Sequence, residues 1–217
     1  MKKVAVILSG CGVFDGAEIH ESVFALLSIA QAGAQYTCFA PDTAQLHVVN
    51  HVTGEVEENA QRNVLVESAR IARGSIQPVS ECNVEDFDAL IIPGGFGVAK
   101  NLCTFALDGD KSIVNEEVMF VCKAFAKAKK PAGYACISPA LAASVYGKGV
   151  KLTIGNDNDT SAALTSMGAE HINSVVDEVV IDASNKLVTT PAYMLAENIV
   201  DAHKSISAMV QTVLSMK

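Results

Sequence analysis

Positive charge is scarce in this chain: 16 Lys and Arg stand against 24 Asp and Glu, for a net charge of −8. A nucleic-acid-binding surface normally carries a basic patch, and anionic membranes attract basic segments. Neither nucleic acid nor a membrane is therefore an expected partner. The one Lys-rich run, Lys127 to Lys130, ends a predicted helix, where cations complement the dipole on a solvated face. Long apolar runs are missing too. Met1-Lys2-Lys3 copies the basic start of a signal peptide, but the following apolar run stops at Leu8. No stretch approaches the length of a transmembrane helix. These features lead to the expectation of a cytoplasmic protein.

The six cysteines, at 11, 38, 82, 103, 122 and 136, include no CxxC pair and no zinc-like spacing with the five histidines. Free thiols in a reducing compartment and no metal site are the corresponding expectations. Internal repeats, low-complexity linkers and shifts of composition are also lacking, so the 217 residues are expected to form a single domain, 1–217. What remains is a chain that is half apolar and only 18% charged, able to bury a sizeable core.

Buried β-type runs alternate with helical patterns. Strands are predicted at 3–8, 35–40, 89–92, 133–135 and 151–154, and a strand pair at 178–182 and 187–190 around Ser184-Asn185. Helices are predicted at about 17–32, 64–72, 115–129, 140–144, from Thr160 to near Gly168, and 195–214. A short strand and turn at 46–54 lie outside the alternation. This order predicts an α/β three-layer sandwich with a mostly parallel sheet, whose ligands bind beyond the carboxyl ends of the strands.

The chain turns on residues 131–141. Gly133-Tyr134-Ala135 reads as a short buried strand, Ser138 as a good N-cap and Pro139 as a first helical residue. Cys136 then sits at a nucleophile elbow, where a strand turns abruptly into a helix whose first N–H groups point back at it. The positive helix end favours thiolate, the nucleophilic form. On this stretch alone a small buried cysteine filling a helix–sheet gap is an equal reading.

Loops after Leu8, Ile92 and Ala135 leave the same sheet edge. They would gather Glu18 or Glu21, Gly94-Gly95 and Cys136. The N–H groups of Gly95 and Ile137 are candidates for an oxyanion hole. Glu18 suits helix-start duty, and Glu21 is the preferred acid/base partner of the thiol. Gly10-x-Gly12-x-x-x-Gly16 misses the dinucleotide spacing, so no nucleotide cofactor is expected. Asp157 and Asp159 read as helix capping, His171 as structural, and Cys11 as a loop cysteine near the same rim.

Leu90 to Gly97 (Leu-Ile-Ile-Pro-Gly-Gly-Phe-Gly), the Ala135-Cys136 elbow and the acidic first helix resemble the PfpI-type, class I glutamine amidotransferase-like superfamily. Within it the chain is most similar to the enhancing-lycopene-biosynthesis protein family, also called glyoxalase ElbB. That likeness runs through Val4–Val13, Glu18 to Glu21, Cys38–Asp42 and Thr189 to Ala196 (Thr-Thr-Pro-Ala-Tyr-Met-Leu-Ala). The resemblance implies a flavodoxin-like fold, an elbow nucleophile at Cys136 with Glu21 as its carboxylate partner, and a homodimer. It also implies glyoxalase activity that turns a small dicarbonyl, glyoxal, into glycolate without glutathione or cofactor. Many superfamily members carry histidine directly after the nucleophile, where this chain has Ile137, and residues 151–155 supply no other. A Cys–His triad for amide hydrolysis or amidotransfer is therefore not expected. Two other readings stay open: a thiol redox sensor, and a regulatory or binding protein linked to isoprenoid metabolism.

Overall fold

The computed structural model describes residues 1–216. In chain order its elements are β1 (Lys3–Ile7), α1 (Ile19–Gln31), β2 (Gln35–Ala40), α2 (Val64–Ile71), β3 (Ile76–Pro78), β4 (Ala89–Ile92) and α3 (Phe105–Asp108). There follow α4 (Glu116–Lys127), β5 (Ala132–Ala135), α5 (Ala142–Tyr146), β6 (Lys151–Leu152), α6 (Asn158–Ser166), β7 (Glu170–His171), β8 (Val180–Asp182), β9 (Leu187–Thr190) and α7 (Ile199–Ser215).

Seven strands form one sheet in the order β3-β2-β1-β4-β5-β9-β8. Every neighbouring pair is parallel except β8–β9. The expected flavodoxin-like, three-layer architecture is what the molecule has. The chain winds outward from β1 through β2 to β3, then crosses back to β4 and winds the other way. The resulting switch point lies between β1 and β4, where open α/β sheets hold ligands at the carboxyl ends of their strands.

Alternation along the strands builds two cores. Ala5, Ile7, Leu90, Ile92 and Tyr134 face one side and pack with Val118, Val121, Cys122 and Phe125 of α4. Val4, Val6, Ile91 and Val188 face the other and pack with Ala25, Ile29, Ile206, Met209 and Val213 from α1 and α7. Each large side chain buried in this way contributes about 1.5–3 kcal/mol before cavity and strain terms. Caps fix where the helices begin. The Asn115 side chain accepts from Glu117 and Val118 N–H at the start of α4, and Asn198 from Val200 and Asp201 N–H at the start of α7.

Local readings needed correction where tertiary contacts intervene. Residues 151–154 do not join the main sheet: β6 is two residues long and pairs with β7 in a separate sheet. Beyond it Thr153 N–H donates to the Thr189 hydroxyl, a side-chain bond that takes the place of a ladder bond. Ser138 is not an N-cap, because its hydroxyl donates to Pro93 O at 2.6 Å and ties the elbow to the loop after β4. The first turn there is a 3-10 turn, Ser138–Leu141, and α5 begins only at Ala142. At 46–54 an isolated Val49–Val56 bridge stands in place of a strand. Helix α7 starts four residues later than expected, at its Asn198 cap. Edge strand β3 ends in proline and is too short to leave a periodic signal.

Candidate active site

Four segments meet at the switch point. Strand β5 is followed at once by Cys136, which adopts φ 59°, a left-handed conformation that costs a non-glycine residue about 1–3 kcal/mol. Its N–H is held by Thr190 O at 2.9 Å, so the end of β9 fixes the bend. The residue is buried, with 8% of its surface exposed. The elbow is therefore real, and it turns Cys136 toward the first turn of α1.

There Glu21 is fully buried. Its carboxylate accepts Gly94 N–H at 2.8 Å on one oxygen and Tyr193 N–H at 3.1 Å on the other. The Cys136 thiol lies beside the same carboxylate, close enough for each group to shift the other's proton affinity. Glu18 caps α1 by accepting Glu21 N–H at 2.7 Å, the helix-start duty its position suggested. Gly94 leaves no room for a side chain: a Cβ there would overlap that of Cys136 and come within 2.6 Å of Glu21 Oε2. Gly95 has φ +100°, and a Cβ on it would overlap the backbone at Gly16 and Glu18. Both glycines let the loop backbone close over the pair, and the N–H groups of Gly95 and Ile137 point at the Cys136 sulfur.

Burial dominates the electrostatics. Desolvation, followed by the Glu18 charge, lifts Glu21 to about 7 despite the two backbone N–H bonds and the thiol that lower it. Desolvation and then the Glu21 charge push the Cys136 thiol well above its ordinary range, and the Gly95 and Ile137 N–H groups only partly offset this. The expected helix-stabilised thiolate is therefore corrected. The helix after the elbow opens with a 3-10 turn and has only five α residues, too little dipole to outweigh burial beside a carboxylate. At rest the sulfur is a thiol with its base beside it.

A cavity of about 310 Å³ opens over the sulfur. Phe96, Phe105, Ile137 and Met194 make its wall largely apolar, while Cys136, Glu18, Thr160 and Tyr193 add polar groups. Cys136, Gly95 and Ile137 thus share one wall, with Glu21 buried directly behind the thiol. Cys11 does not line this cavity and lies among Glu67, Arg70, Asp15 and Arg62. His171 accepts Ile154 N–H at 3.2 Å, a structural role. Asp157 caps α6 by accepting Thr160 N–H at 2.8 Å. No group of three or more His, Cys, Asp or Glu suited to a metal ion occurs among the described residues.

Two residues at this site escaped sequence reasoning. Tyr193 follows β9, a fourth strand whose carboxyl end reaches the same rim, and its phenol lies 2.8 Å from His20 Nδ1. The parallel run of β9 beside β5 was the missing signal, because 187–190 read only as half of a hairpin.

No protein-family model matches the chain. It is 47% identical over 223 residues to the ES1 protein homolog, mitochondrial, of Rattus norvegicus, covering 99% of this chain and 84% of the relative. It is 46% identical to the human glutamine amidotransferase-like class 1 domain-containing protein 3, mitochondrial, covering 99% and 83%. Among solved structures, an isoprenoid biosynthesis protein with amidotransferase-like domain from Ehrlichia chaffeensis superposes with TM-score 0.91 at 37% identity, covering 99% and 98%. Glyoxalase III from Candida albicans shares the fold at TM-score 0.62 and 13% identity, covering 98% and 97%. The mitochondrial names overturn the cytoplasmic expectation. Net charge and the length of apolar runs report on solubility and membrane spanning, and neither distinguishes the cytoplasm from an organelle's interior.

Proposed function

The chain belongs to the ES1 family of class 1 glutamine amidotransferase-like proteins, and on that premise we propose that it is a glutathione- and cofactor-independent glyoxalase of the ElbB type. Its substrate would be glyoxal, with methylglyoxal the next analogue, and its product the 2-hydroxy acid. Sharing a fold with glyoxalase III does not transfer that enzyme's activity. The observation that carries the reading is the buried Cys136–Glu21 pair, capped by two inward N–H groups beneath a mostly apolar cavity that no histidine lines.

The chemistry follows from those groups. Ionised Glu21 takes the thiol proton as Cys136 sulfur bonds one aldehyde carbon, and the carbonyl electron pair moves onto oxygen. The N–H groups of Gly95 and Ile137 receive that oxygen, as oxyanion-hole donors do. Glu21 returns its proton to the oxygen and then removes the hydrogen from the same carbon, giving an enediolate. Return of that proton to the second carbon, with transfer of the hydroxyl proton from the first oxygen to the second, leaves a hydroxyacyl thioester. Water cleaves the thioester to glycolate and free thiol, so one aldehyde carbon is oxidised, the other is reduced, and no external oxidant is needed. A base held beside the nucleophile substitutes for a standing thiolate.

The sensor reading is less well supported, because peroxide-sensing thiols are exposed and acidic whereas Cys136 is neither. The test is glyoxal consumption with glycolate formation by purified wild type, Cys136→Ala and Glu21→Gln, without glutathione or metal. Turnover in wild type alone supports the proposal. Equal turnover in all three, or none in wild type, overturns it.

A further inference from the structure

The segment after β9 grips the first turn of α1 at two points. Tyr193 N–H donates to Glu21 Oε1 at 3.1 Å, and the Tyr193 phenol oxygen lies 2.8 Å from Nδ1 of His20. One tyrosine thus holds two adjacent residues, one through its main chain and one through its side chain. The segment is itself fixed: Ala192, at φ 43°, donates its N–H to Ser205 Oγ at 3.0 Å, and that hydroxyl pairs with Thr190 Oγ1 at 2.7 Å. The Gly94 and Tyr193 N–H groups hold the Glu21 carboxylate, and the phenol makes no bond to it. Tyr193 lines the same cavity as Cys136, and His20 is exposed, its ring centroid 5.9 Å from that of Tyr193 and 6.2 Å from that of Phe24.

We propose that Tyr193 donates the proton to the second carbonyl oxygen of the dicarbonyl, and that His20 positions the phenol and holds the phenolate it leaves. This rests on the glyoxalase reading. When Glu21 removes the hydrogen from the sulfur-bearing carbon, that electron pair forms the carbon–carbon double bond. The second carbonyl's π pair moves to its oxygen, which must gain a proton while Glu21 is still occupied at the first carbon. With its proton on Nδ1, His20 donates to the phenol oxygen and leaves the phenol O–H free for the substrate. The phenol gives that proton, and the phenolate it leaves is held by the Nδ1–H bond. In the next step the hydroxyl on the sulfur-bearing carbon loses its proton to the phenolate, which restores the phenol. Glu21 meanwhile protonates the second carbon. The dyad therefore gives one proton and recovers one in each turnover.

Tyr193→Phe keeps the main-chain N–H on Glu21 and the aromatic ring, and removes only the phenol hydroxyl. The expected result is a fall in kcat for glyoxal of about a hundredfold or more, the range for a lost general acid, with KM changed less than about threefold. Alkylation of Cys136 by iodoacetamide should keep its wild-type rate, because Glu21 still receives the thiol proton. His20→Phe should lower kcat while KM stays, and His20→Gln, which can still bond the phenol, should recover most of that loss. Full turnover in Tyr193→Phe overturns the proposal, as does a loss of alkylation parallel to the loss of turnover, which would make the tyrosine merely structural. If wild type is alkylated at Cys136 yet forms no glycolate, the glyoxalase reading itself fails and the donor role falls with it. That failure appears before any variant is made and so is distinct from the others.

Discussion

Replacing Glu21 by glutamine removes a buried carboxyl whose proton affinity changes greatly on folding. In the folded protein burial lifts Glu21 from an ordinary 4.5 to about 7. The native state therefore holds this proton at pH values where the unfolded chain has released it. The stabilisation is complete below about pH 4.5 and is lost as pH rises through about 7. At about 1.4 kcal/mol for each tenfold change in proton affinity, the loss amounts to about 3 kcal/mol. Glutamine cannot ionise, so it should lack this slope. It carries a constant cost instead, because its NH2 end must face one of the two N–H donors from Gly94 and Tyr193; a buried mismatch of this kind costs roughly 1–3 kcal/mol. Urea denaturation of wild type and Glu21→Gln at about pH 5 and pH 8 isolates the term, since all other titrating groups are common to both. The stability gap favouring wild type at the lower pH should close by about 2.5 kcal/mol at the higher. A gap independent of pH would refute the claim that burial raises the proton affinity of Glu21.

Three further outcomes follow from the same geometry. Gly94→Ala drives a Cβ into Cys136 and toward Glu21; it should cost about 1–3 kcal/mol in denaturant titrations and abolish turnover, and a fully active variant would show that the loop does not clamp the pair. Turnover at low substrate should rise with pH through about 7 as Glu21 ionises to its basic form, and a flat profile from about pH 6 to 8 would contradict its role as base. The homodimer implied by the family resemblance has a candidate face in the exposed stripe Ile19, Val23 and Leu27 of α1; light scattering should show a dimer that Leu27→Asp converts to monomer, and a monomeric wild type would exclude it.

The layers of this fold were legible because each strand carries its own apolar run, and because the alternation of strand and helix restricts how they can be ordered. The elbow and the Pro93-Gly94-Gly95 loop were legible for a similar reason: a chain reversal leaves its glycines and prolines within a few adjacent positions. Glu21 was reached by placing its helix on the same rim. What escaped depends on distance in sequence. Tyr193 and His20 are 173 residues apart and meet only when β9 lies beside β5. The protonation state of Cys136 was misjudged because a local helix dipole can be read from sequence, whereas burial against Glu21 cannot. Ser138 followed the same pattern, since its hydroxyl found a carbonyl 45 residues away in place of its own helix.

The most direct measurement is to mix the protein with glyoxal, quench in acid during turnover, and map the covalent adduct by peptide mass spectrometry. A hydroxyacetyl thioester on Cys136, present during turnover and gone once substrate is exhausted, is the predicted result. Glycolate formed at full rate with no adduct on Cys136 would contradict the account.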